Sequence, residues 1–375
     1  FPDYFGCELS RLTDSQIGVS CYVQIFNMGL LKQLMRYIIL VLTLFSVDGC
    51  SWFNNAPETI RIAGTTMGTT YSVTVVDPPK DMSKEDLKSD IEAVLLSVNS
   101  QMSNWDKNSE ISQFNANQIE TAQPVSPEMV LVVSAANEIH EKSDGLFDIT
   151  VMPLTNLWGF GPKNSDDLVP SDEDIATALS LVGQSRLLSL NTSDKTIQKQ
   201  KGQVSINLSA IAKGYGIDQV AAELTVQGID RYMVEIGGDL VTAGLNLEGN
   251  PWAIGIEKPV FGAQTVELIL PVSGFGVATS GDYRNFFEED GVRYSHIINA
   301  KNGRPIRHFT SSVTVLAENA MYADGWATAL LAAGQDKGML FAEKFGLAAF
   351  FISTVDGKFV TTASSSFQDL QDTKN

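Results

Sequence analysis

Two short segments of the chain carry side chains of the types that bind a metal ion and a phosphate. Asp324 and Thr328 stand four residues apart in an apolar segment, and a helix would place both side-chain oxygens on one face. Segment 207–216 is predicted to run from a buried strand into a capped helix with Lys213 on its first turns, a geometry suited to phosphate. Together they predict a metal-assisted enzyme that acts on a phosphorylated ligand.

Each of these features also has a simpler interpretation. An Asp and a Thr at this spacing near a helix start are often a cap and a packed hydroxyl. Lys213 could instead cover a helix surface with its aliphatic stem. Trp105, at the end of a predicted helix, is either a core residue or a stacking platform for a planar ring. His296 is either a structural histidine or a catalytic one.

The composition is that of a globular protein with an acidic surface. The chain has 375 residues, of which 44% are hydrophobic, and a formal net charge of −18. Such a chain can bury a large core. Its body contains no basic cluster, which argues against nucleic acid as a partner, because phosphate backbones are bound mainly through Lys and Arg.

The first fifty residues contain an export signal. Residues 28–49 place Lys32 and Arg36 before a short apolar run, which is typical of a signal peptide. The run is too short for a permanent membrane span, which needs about 20 residues. Cys50 ends a Val-Asp-Gly-Cys sequence that resembles a bacterial lipoprotein box, although Asp48 is unusual there. We therefore expect cleavage before Cys50 and lipidation of its thiol.

The remaining boundaries follow from composition. Residues 1–27 form a doubtful upstream segment that we exclude from the fold, and residues 50–59 are predicted to be a polar tether. Residues 60–362 are predicted to be the folded domain, and residues 363–375 a polar tail. All three cysteines lie at or before Cys50, so the predicted domain contains no disulfide.

Periodicity and capping residues predict a single mixed α+β domain. Helices are predicted after the capping residues Ser83, Ser126 and Ser171, where apolar residues follow helical spacing. Alternating segments predict strands over 61–76 and 232–277. Because no internal repeat or clean linker divides the domain, we expect an antiparallel-rich sheet with packed helices. Two lobes around a cleft are the alternative arrangement.

Eight short sequence blocks follow one another between about residues 60 and 335. Together, and in this order, they are far more specific than any one block alone. They are Gly64–Thr70, Met102–Asn115, Ser143–Thr150, Asn207–Asp218, Glu235–Asp239, Val277–Phe287, Ser295–Pro305 and Ala323–Thr328. In these blocks the chain resembles the ApbE family of FAD:protein FMN transferases. The resemblance implies a T-fold-like α+β domain that transfers FMN from FAD to a Thr or Ser hydroxyl of an acceptor protein. It also implies that AMP is released and that Mg²⁺ is required.

The resemblance assigns roles to particular residues. The flavin half of FAD would contact Met67, Trp105, Leu146, Phe147 and Asp148. The rest of FAD would contact Asn207, Lys213 and Ile298. Mg²⁺ would be bound by the Ala210 carbonyl, Asp324 and Thr328. His296 would lie beside the reacting phosphate, as the base or orienting group for the acceptor hydroxyl.

Three positions depart from the family pattern. Asn207 and Asn299 stand where the family commonly has Asp, and Ala327 stands where an additional Asp is frequent. The neutral residues would remove water-mediated contacts to the metal, so we expect weaker Mg²⁺ binding. Asp324 and Thr328 are retained, and activity is still expected.

Two other functions are compatible with the sequence. A related enzyme would hydrolyse FAD to FMN and AMP at the same metal site, and a lipoprotein could bind flavin without catalysis. For the transferase, the resemblance implies an acceptor that is a redox subunit with an exposed Thr in a short Asp-containing motif. Sodium-pumping quinone reductases and related electron-transport complexes contain such subunits. The expected location is the periplasmic side of a bacterial membrane, through a lipid anchor.

Overall fold

The strands among the described residues build one large sheet and four small ones. The computed structural model describes residues 58–161, 169–260, 262, 265–283 and 285–372, all within one compact unit, Pro57–Asn375. The strands are β1 (Thr59–Thr66), β2 (Thr69–Val76), β3 (Gln123–Pro124), β4 (Leu188–Asn191), β5 (Thr196–Lys199), β6 (Tyr232–Ile236), β7 (Asp239–Ala243), β8 (Trp252–Glu257), β9 (Val266–Val272), β10 (Gly276–Gly281), β11 (Phe286–Glu289), β12 (Val292–Ser295), β13 (Ile298–Asn299), β14 (Arg304–Pro305), β15 (Thr310–Ala317), β16 (Ala348–Val355) and β17 (Lys358–Ala363).

The helices lie between these strands in the chain. They are α1 (Lys84–Met102), α2 (Glu110–Ala116), α3 (Pro127–Lys142), α4 (Met152–Leu157), α5 (Asp172–Leu179), α6 (Gln184–Leu187), α7 (Ala212–Val226), α8 (Ala320–Phe345) and α9 (Ser365–Asp372). No helix among the described residues has both the length and the apolar character that crossing a membrane requires.

The large sheet has eight strands in the order β1-β2-β6-β7-β10-β15-β16-β17. Every neighbouring pair in it is antiparallel. This arrangement places the β1–β2 turn, the β6–β7 turn and the end of β10 at the same end of the sheet. The mixed α+β fold with an antiparallel-rich sheet, predicted from the sequence, is confirmed.

Alternating side chains give the sheet two buried faces. On β15, Val313 and Val315 pack with the helices α3 and α8, whereas Leu316 points to the opposite face. That opposite face is covered by the β8–β9 hairpin and by α9, whose Phe367 stacks on Phe350 at a centroid distance of 5.1 Å. Because side chains alternate along a strand, burial on both faces favours a continuous apolar run, as at residues 348–352 of β16. In β15 the buried positions also include Thr310, Ser312 and Thr314.

Local capping fixes where several helices begin. The hydroxyls of Ser83, Ser126 and Ser171 each accept a hydrogen bond from the backbone N–H three residues later, at the starts of α1, α3 and α5. These bonds satisfy N–H groups that lack partners within the helix. The helix starts predicted at the three serines are therefore confirmed.

Helix α8 is interrupted at Gly334, which has φ 74° and ψ 167°. The break frees two backbone groups, and residues near the start of β15 bind them. The Leu331 carbonyl accepts from Nε2 of His308 at 2.8 Å, and the N–H of Gln335 donates to the Thr310 hydroxyl at 2.8 Å. The predicted helix that carries Asp324 and Thr328 is thus the first half of a longer helix, which is kinked at Gly334.

The folded domain ends later in the chain than predicted. The folded part continues beyond residue 362, because Ser365–Asp372 forms α9 and its Phe367 is fully buried. The predicted polar tail from residue 363 is therefore wrong over these residues: one buried aromatic residue in a polar segment is enough to dock the helix. The predicted signal peptide, the lipidated Cys50 and most of the tether lie outside the described residues.

Candidate active site

A cavity of about 600 Å³ opens at the end of the sheet where the β1–β2 turn, the β6–β7 turn and the end of β10 meet. It is lined by every residue to which the sequence assigned a ligand or a catalytic role among the described residues. These are Met67, Trp105, Leu146, Phe147, Asp148, Asn207, Ala210, Lys213, His296, Ile298, Asp324 and Thr328. The fold thus brings together residues that are up to 261 positions apart, from Met67 to Thr328.

Asp324 and Thr328 lie on the wall that α8 contributes. The N-cap of α8 is Asn319. The simpler interpretation of Asp324 as a helix cap is therefore wrong. Asp324 is buried, and its Oδ2 accepts a hydrogen bond from the N–H of Gly214 at 3.0 Å. The hydroxyl of Thr328 lies 3.0 Å from that of Ser280 on β10. The pair therefore faces the cavity and is held from two neighbouring elements.

The donors on this wall fit a hard divalent cation. Asp324 supplies a carboxylate, Thr328 a hydroxyl and Ala210 a backbone carbonyl, and all three residues line the cavity. Mg²⁺ prefers oxygen ligands and shares its coordination shell with substrate phosphates. The described residues contain no group of three or more His, Cys, Asp or Glu side chains that could hold a metal, so the carbonyl and the hydroxyl are needed to complete the donor set.

The segment before Lys213 differs from its prediction. Residues 204–208 are not a strand, although Val204, Ile206 and Leu208 alternate and are buried. The reason is that side-chain amides replace a neighbouring strand. The Ile206 carbonyl accepts from Nδ2 of both Asn104 and Asn115 at 2.8 Å, and the Leu208 N–H donates to Oδ1 of Asn104 at 3.1 Å.

Helix α7 then begins without the predicted side-chain cap. Its N-cap residue, Ile211, offers no side-chain acceptor. The ammonium of Lys213 instead forms an ion pair with Asp239, which follows the Gly237-Gly238 turn and is only 2% exposed. Oδ1 of Asp239 also accepts a hydrogen bond from the N–H of Thr279 at 3.0 Å. Lys213 is thus fixed from the sheet and remains on the cavity wall.

The residues expected to contact the flavin form an apolar part of the cavity lining. Leu146 and Phe147 are buried, whereas Trp105 is 69% exposed, so the interpretation of Trp105 as a core residue is wrong. Met67 has φ 50° in the β1–β2 turn, and its methyl group would lie 2.7 Å from a Cβ at position 216. Gly216 therefore leaves the space into which Met67 packs.

The carboxylate of Asp148 accepts hydrogen bonds from neighbouring protein groups. Its Oδ1 accepts from the N–H of Thr150 at 2.7 Å and also from the Thr150 hydroxyl, and its Oδ2 accepts from the N–H of Gln184 at 2.9 Å. These bonds brace the turn after Phe147 and the start of α6. Asp148 still lines the cavity, but most of its hydrogen-bonding capacity is used in holding the wall.

His296 directly follows β12 and lines the cavity. Its Nδ1 lies 2.9 Å from the Asn285 carbonyl. A carbonyl can only accept, so Nδ1 carries the proton and Nε2 keeps its lone pair. Burial lowers the pKa of His296 below its usual value, and the hydrogen bond to Asn285 opposes that shift. The ring of Phe160 contacts it edge-on, at a centroid distance of 6.3 Å. The geometry supplies a neutral imidazole, as a base requires.

The three departures from the family pattern have local structural uses. Oδ1 of Asn207 accepts from the N–H of Ser209 at 2.9 Å, and Oδ1 of Asn299 accepts from the N–H of Lys301 at 2.9 Å, so both close turns. Ala327 is fully buried in the largest hydrophobic cluster. That these neutral residues weaken Mg²⁺ binding stays a prediction.

Two further cavity residues, Asp239 and Ser280, were not identified as site residues from the sequence. The available signal for Asp239 is its place directly after Gly237 and Gly238, a sequence that by itself indicates only a tight turn. Ser280 gave no signal, because its partner Thr328 lies 48 positions later in the chain.

Comparison with known proteins identifies the family. Residues 67–351 match the ApbE family. The FAD:protein FMN transferase of Haemophilus influenzae is 41% identical over 348 residues, which cover 92% of this chain and 100% of that protein. The protein of the same name from Vibrio cholerae (serotype O1, Classical Ogawa 395) is 40% identical over 333 residues, which cover 89% and 98%. The chain therefore belongs to the ApbE family, as its sequence blocks indicated.

Solved structures of relatives have the same fold. The flavin transferase ApbE from Vibrio cholerae superposes with a TM-score of 0.78 at 41% identity, covering 84% of this chain and 99% of that one. The apo form of the flavinyl transferase ApbE from Pseudomonas stutzeri gives a TM-score of 0.77 at 39% identity, covering 84% and 97%. At this identity the similarity extends beyond the fold to the family's enzymatic class, transferase.

Proposed function

We propose that this protein transfers FMN from FAD to an acceptor protein. The observation that carries the proposal is the single cavity in which the flavin, phosphate and metal residues named by the resemblance meet. Relatives that match nearly the whole chain have the name FAD:protein FMN transferase. The cavity is large enough for most of a dinucleotide, and its apolar half and oxygen-rich half correspond to a ring system and a pyrophosphate.

The reaction breaks the phosphoanhydride bond of FAD and forms a phosphoester bond to the acceptor. The hydroxyl oxygen of a Thr or Ser of the acceptor bonds to the phosphorus on the FMN side of FAD. The bond from that phosphorus to the bridging oxygen breaks, and AMP leaves with that oxygen. Because attacking and leaving oxygens lie roughly in line in phosphoryl transfer, the protein acts mainly by positioning and by stabilising charge.

His296 is the base in this proposal. Its Nε2 takes the proton of the acceptor hydroxyl, while the bond from Nδ1 to the Asn285 carbonyl holds the ring in the required tautomer. Burial favours the neutral ring, so the histidine is ready to accept a proton near neutral pH. His296 lines the cavity and is partly exposed, so an acceptor segment that enters the cavity can reach it.

Asp324, Thr328 and the Ala210 carbonyl would hold Mg²⁺. When bound, the ion neutralises charge on the pyrophosphate and on the departing AMP. Lys213 would contact the same phosphates from the other wall. Trp105 offers an exposed face to the isoalloxazine ring, with Leu146 and Phe147 beneath it.

The location and the acceptor belong to the same proposal. Lipidation of Cys50 would hold the enzyme on the periplasmic side of a bacterial membrane, close to membrane redox complexes. The acceptor is then a redox subunit of such a complex, for example of a sodium-pumping quinone reductase, with an exposed Thr or Ser. The support for these points is the leader sequence and the family resemblance.

The test is direct labelling. The purified protein is incubated with FAD, Mg²⁺ and an acceptor that carries an exposed Thr in an Asp-containing segment, and flavin fluorescence is read in a denaturing gel, with the mass increase of FMN as confirmation. Labelling that is lost in Asp324→Ala supports the transferase. The matched control is Asp336→Ala, which removes an exposed acid from the same helix and should label normally.

The other functions give different results in the same assay. AMP release without labelling would identify a FAD hydrolase, in which water replaces the acceptor hydroxyl. FAD binding with neither AMP release nor labelling would identify a flavin-binding protein. Either result contradicts the proposed transfer.

A further inference from the structure

The most strongly buried charged group on the cavity wall is one that no assigned role uses. Asp239 is 2% exposed, and its Oδ2 forms an ion pair with Lys213, whose side chain is 25% exposed. Its Oδ1 accepts from the N–H of Thr279 on β10. The carboxylate therefore joins α7, the β6–β7 turn and β10 at the cavity.

A buried carboxylate is stable only when it is paired and hydrogen-bonded, and Asp239 meets both conditions. The lysine needs the pair as well. Its flexible four-carbon side chain would otherwise adopt many conformations, and fixing it at the moment of ligand binding costs conformational entropy. The ion pair fixes the ammonium in advance.

The pairing leaves part of the ammonium free for a ligand. A lysine has three N–H donors, and Asp239 is its carboxylate partner on the wall. Lys213 lines the cavity together with Asp324 and Thr328, so the remaining donors are available to a ligand bound there. A group bound between these walls must accept hydrogen bonds from the ammonium and ligate a cation, which describes a phosphate or a pyrophosphate.

We propose that Asp239 is a positioning residue, which holds the Lys213 ammonium against a phosphate oxygen of the bound dinucleotide. This inference rests on the proposed function and adds to it the residue that orients the lysine. Asp239 touches neither the substrate nor the metal in this arrangement. It acts through Lys213.

The geometry of the turn makes the test selective. Asp239→Asn keeps the size of the side chain and an oxygen that can accept from Thr279, but it removes the charge that binds Lys213. A matched control is Glu235→Gln. Glu235, on β6 beside the turn, accepts from the N–H of Gly238 at 2.5 Å and from the Ser72 hydroxyl at 3.2 Å, and Lys213 pairs with Asp239 instead, so this variant tests loss of a neighbouring carboxylate that does not bind the lysine.

The first measurement does not depend on catalysis. The protein without FAD is treated with an amine-acylating reagent, and modification of Lys213 is followed by peptide mass spectrometry. We expect Lys213 to react severalfold faster in Asp239→Asn than in the unsubstituted protein or in Glu235→Gln, and FAD to protect it. An unchanged rate in Asp239→Asn would overturn the proposal, whether or not the protein transfers FMN.

The second measurement is a double-mutant cycle on turnover of FAD. Asp239→Asn should lower kcat by about 10-fold to 100-fold, because a displaced phosphate contact misaligns the reacting group. In a Lys213→Met background the same substitution should change kcat by less than about twofold. An equal loss in both backgrounds would show that Asp239 supports only the fold, and would refute the positioning role.

The two measurements separate this inference from the proposed function. If the unsubstituted protein transfers no FMN, the proposed function fails, and faster labelling of Lys213 in Asp239→Asn with protection by FAD still supports the positioning role. If transfer occurs but labelling and the cycle show no coupling, the positioning role fails and the proposed function stands.

Discussion

The hydroxyl of Ser280 on β10 lies 3.0 Å from the hydroxyl of Thr328 on α8, across the wall of the cavity. A hydroxyl that binds a cation uses an oxygen lone pair, so its proton must be donated elsewhere. The Ser280 oxygen is placed to accept this hydrogen bond from the Thr328 hydroxyl. It would thereby turn the lone pair of Thr328 toward the cavity, as outer partners of metal ligands commonly do.

Removing this partner should weaken metal binding without removing a ligand. We expect Ser280→Ala to raise the Mg²⁺ concentration for half-maximal FMN transfer by about 10-fold. A Mg²⁺ titration of the labelling reaction measures it. The control is Ser311→Ala on β15. This variant removes a hydroxyl that is hydrogen-bonded to the Thr354 hydroxyl on β16 at 2.8 Å. Equal Mg²⁺ requirements in the two variants would contradict the orienting role of Ser280.

His296 provides a test by pH. Burial lowers the pKa of this histidine, so the neutral base is present above the usual value of about 6.5 and is lost only as pH falls below it. The rate of transfer should therefore be flat near pH 7 to 8 and should fall on the acid side with a midpoint below about 6.5.

The same histidine can be tested by substitution. His296→Gln should lower the rate of transfer by about 10²-fold to 10⁴-fold and remove the acid limb, because the side chain no longer takes the proton. FAD affinity, read from flavin fluorescence, should stay close to that of the unsubstituted protein. If the variant kept both its rate and its acid limb, another group would be the base.

Lys199 gives a prediction about stability. It is fully buried at the end of β5, where Nζ donates to the carbonyls of Asn117 at 2.8 Å and Asn115 at 3.3 Å and lies 4.7 Å from the ring centre of Phe114. The ammonium thus binds the carbonyls at the C-terminal end of α2. Burial lowers the pKa of Lys199 to about 8.

The sign of the pH effect follows from proton binding. Between about pH 8 and pH 10.5 the unfolded chain holds a proton on this lysine and the folded chain does not, so the free energy of unfolding should rise with pH in that window. The rise is at most about 3 kcal/mol. Urea unfolding at pH 8 and pH 10 should show it in the unsubstituted protein and not in Lys199→Met. Lys195→Met, at an exposed lysine of the same hairpin, should keep it.

The elements of the fold that are encoded locally could be predicted from the sequence. The helix starts at Ser83 and Ser126 follow from a hydroxyl and an N–H three residues apart. The β11–β12 hairpin follows from Asp290 and Gly291, which adopt φ 50° and 73° in its turn. Such features depend on neighbours in the chain, so one sequence contains the information.

The features that depend on distant partners could not be predicted in the same way. Residues 204–208 alternate like a strand, but amides of Asn104 and Asn115 satisfy their backbone groups in place of another strand. The pairing of Lys213 with Asp239 arises only when the sheet aligns the β6–β7 turn with α7. Spacing alone indicates Asp324, Thr328 and Lys213, whereas the other cavity residues follow only from the family resemblance, which supplies the long-range arrangement.

The kink in α8 yields a last prediction. With φ 74° and ψ 167°, Gly334 occupies a backbone region that residues other than glycine rarely adopt. A Cβ at this position would lie 2.8 Å from Cδ2 of His308. Gly334→Ala should therefore destabilise the protein by about 3 kcal/mol, through backbone strain and through displacement of the His308 ring from the Leu331 carbonyl.

Gly249→Ala is the reference for a positive φ without contact to a neighbouring side chain. Gly249 also has a positive φ of 76°, but nothing lies within 4 Å of its Cβ position, so the substitution should cost only about 1 kcal/mol of strain. Urea unfolding of the two variants measures the difference. Equal losses would show that contact with His308 adds nothing. A larger loss for Gly334→Ala is expected, because its ψ of 167° adds backbone strain to the contact with His308, and it would show that the kinked helix carrying Asp324 and Thr328 requires glycine at this position.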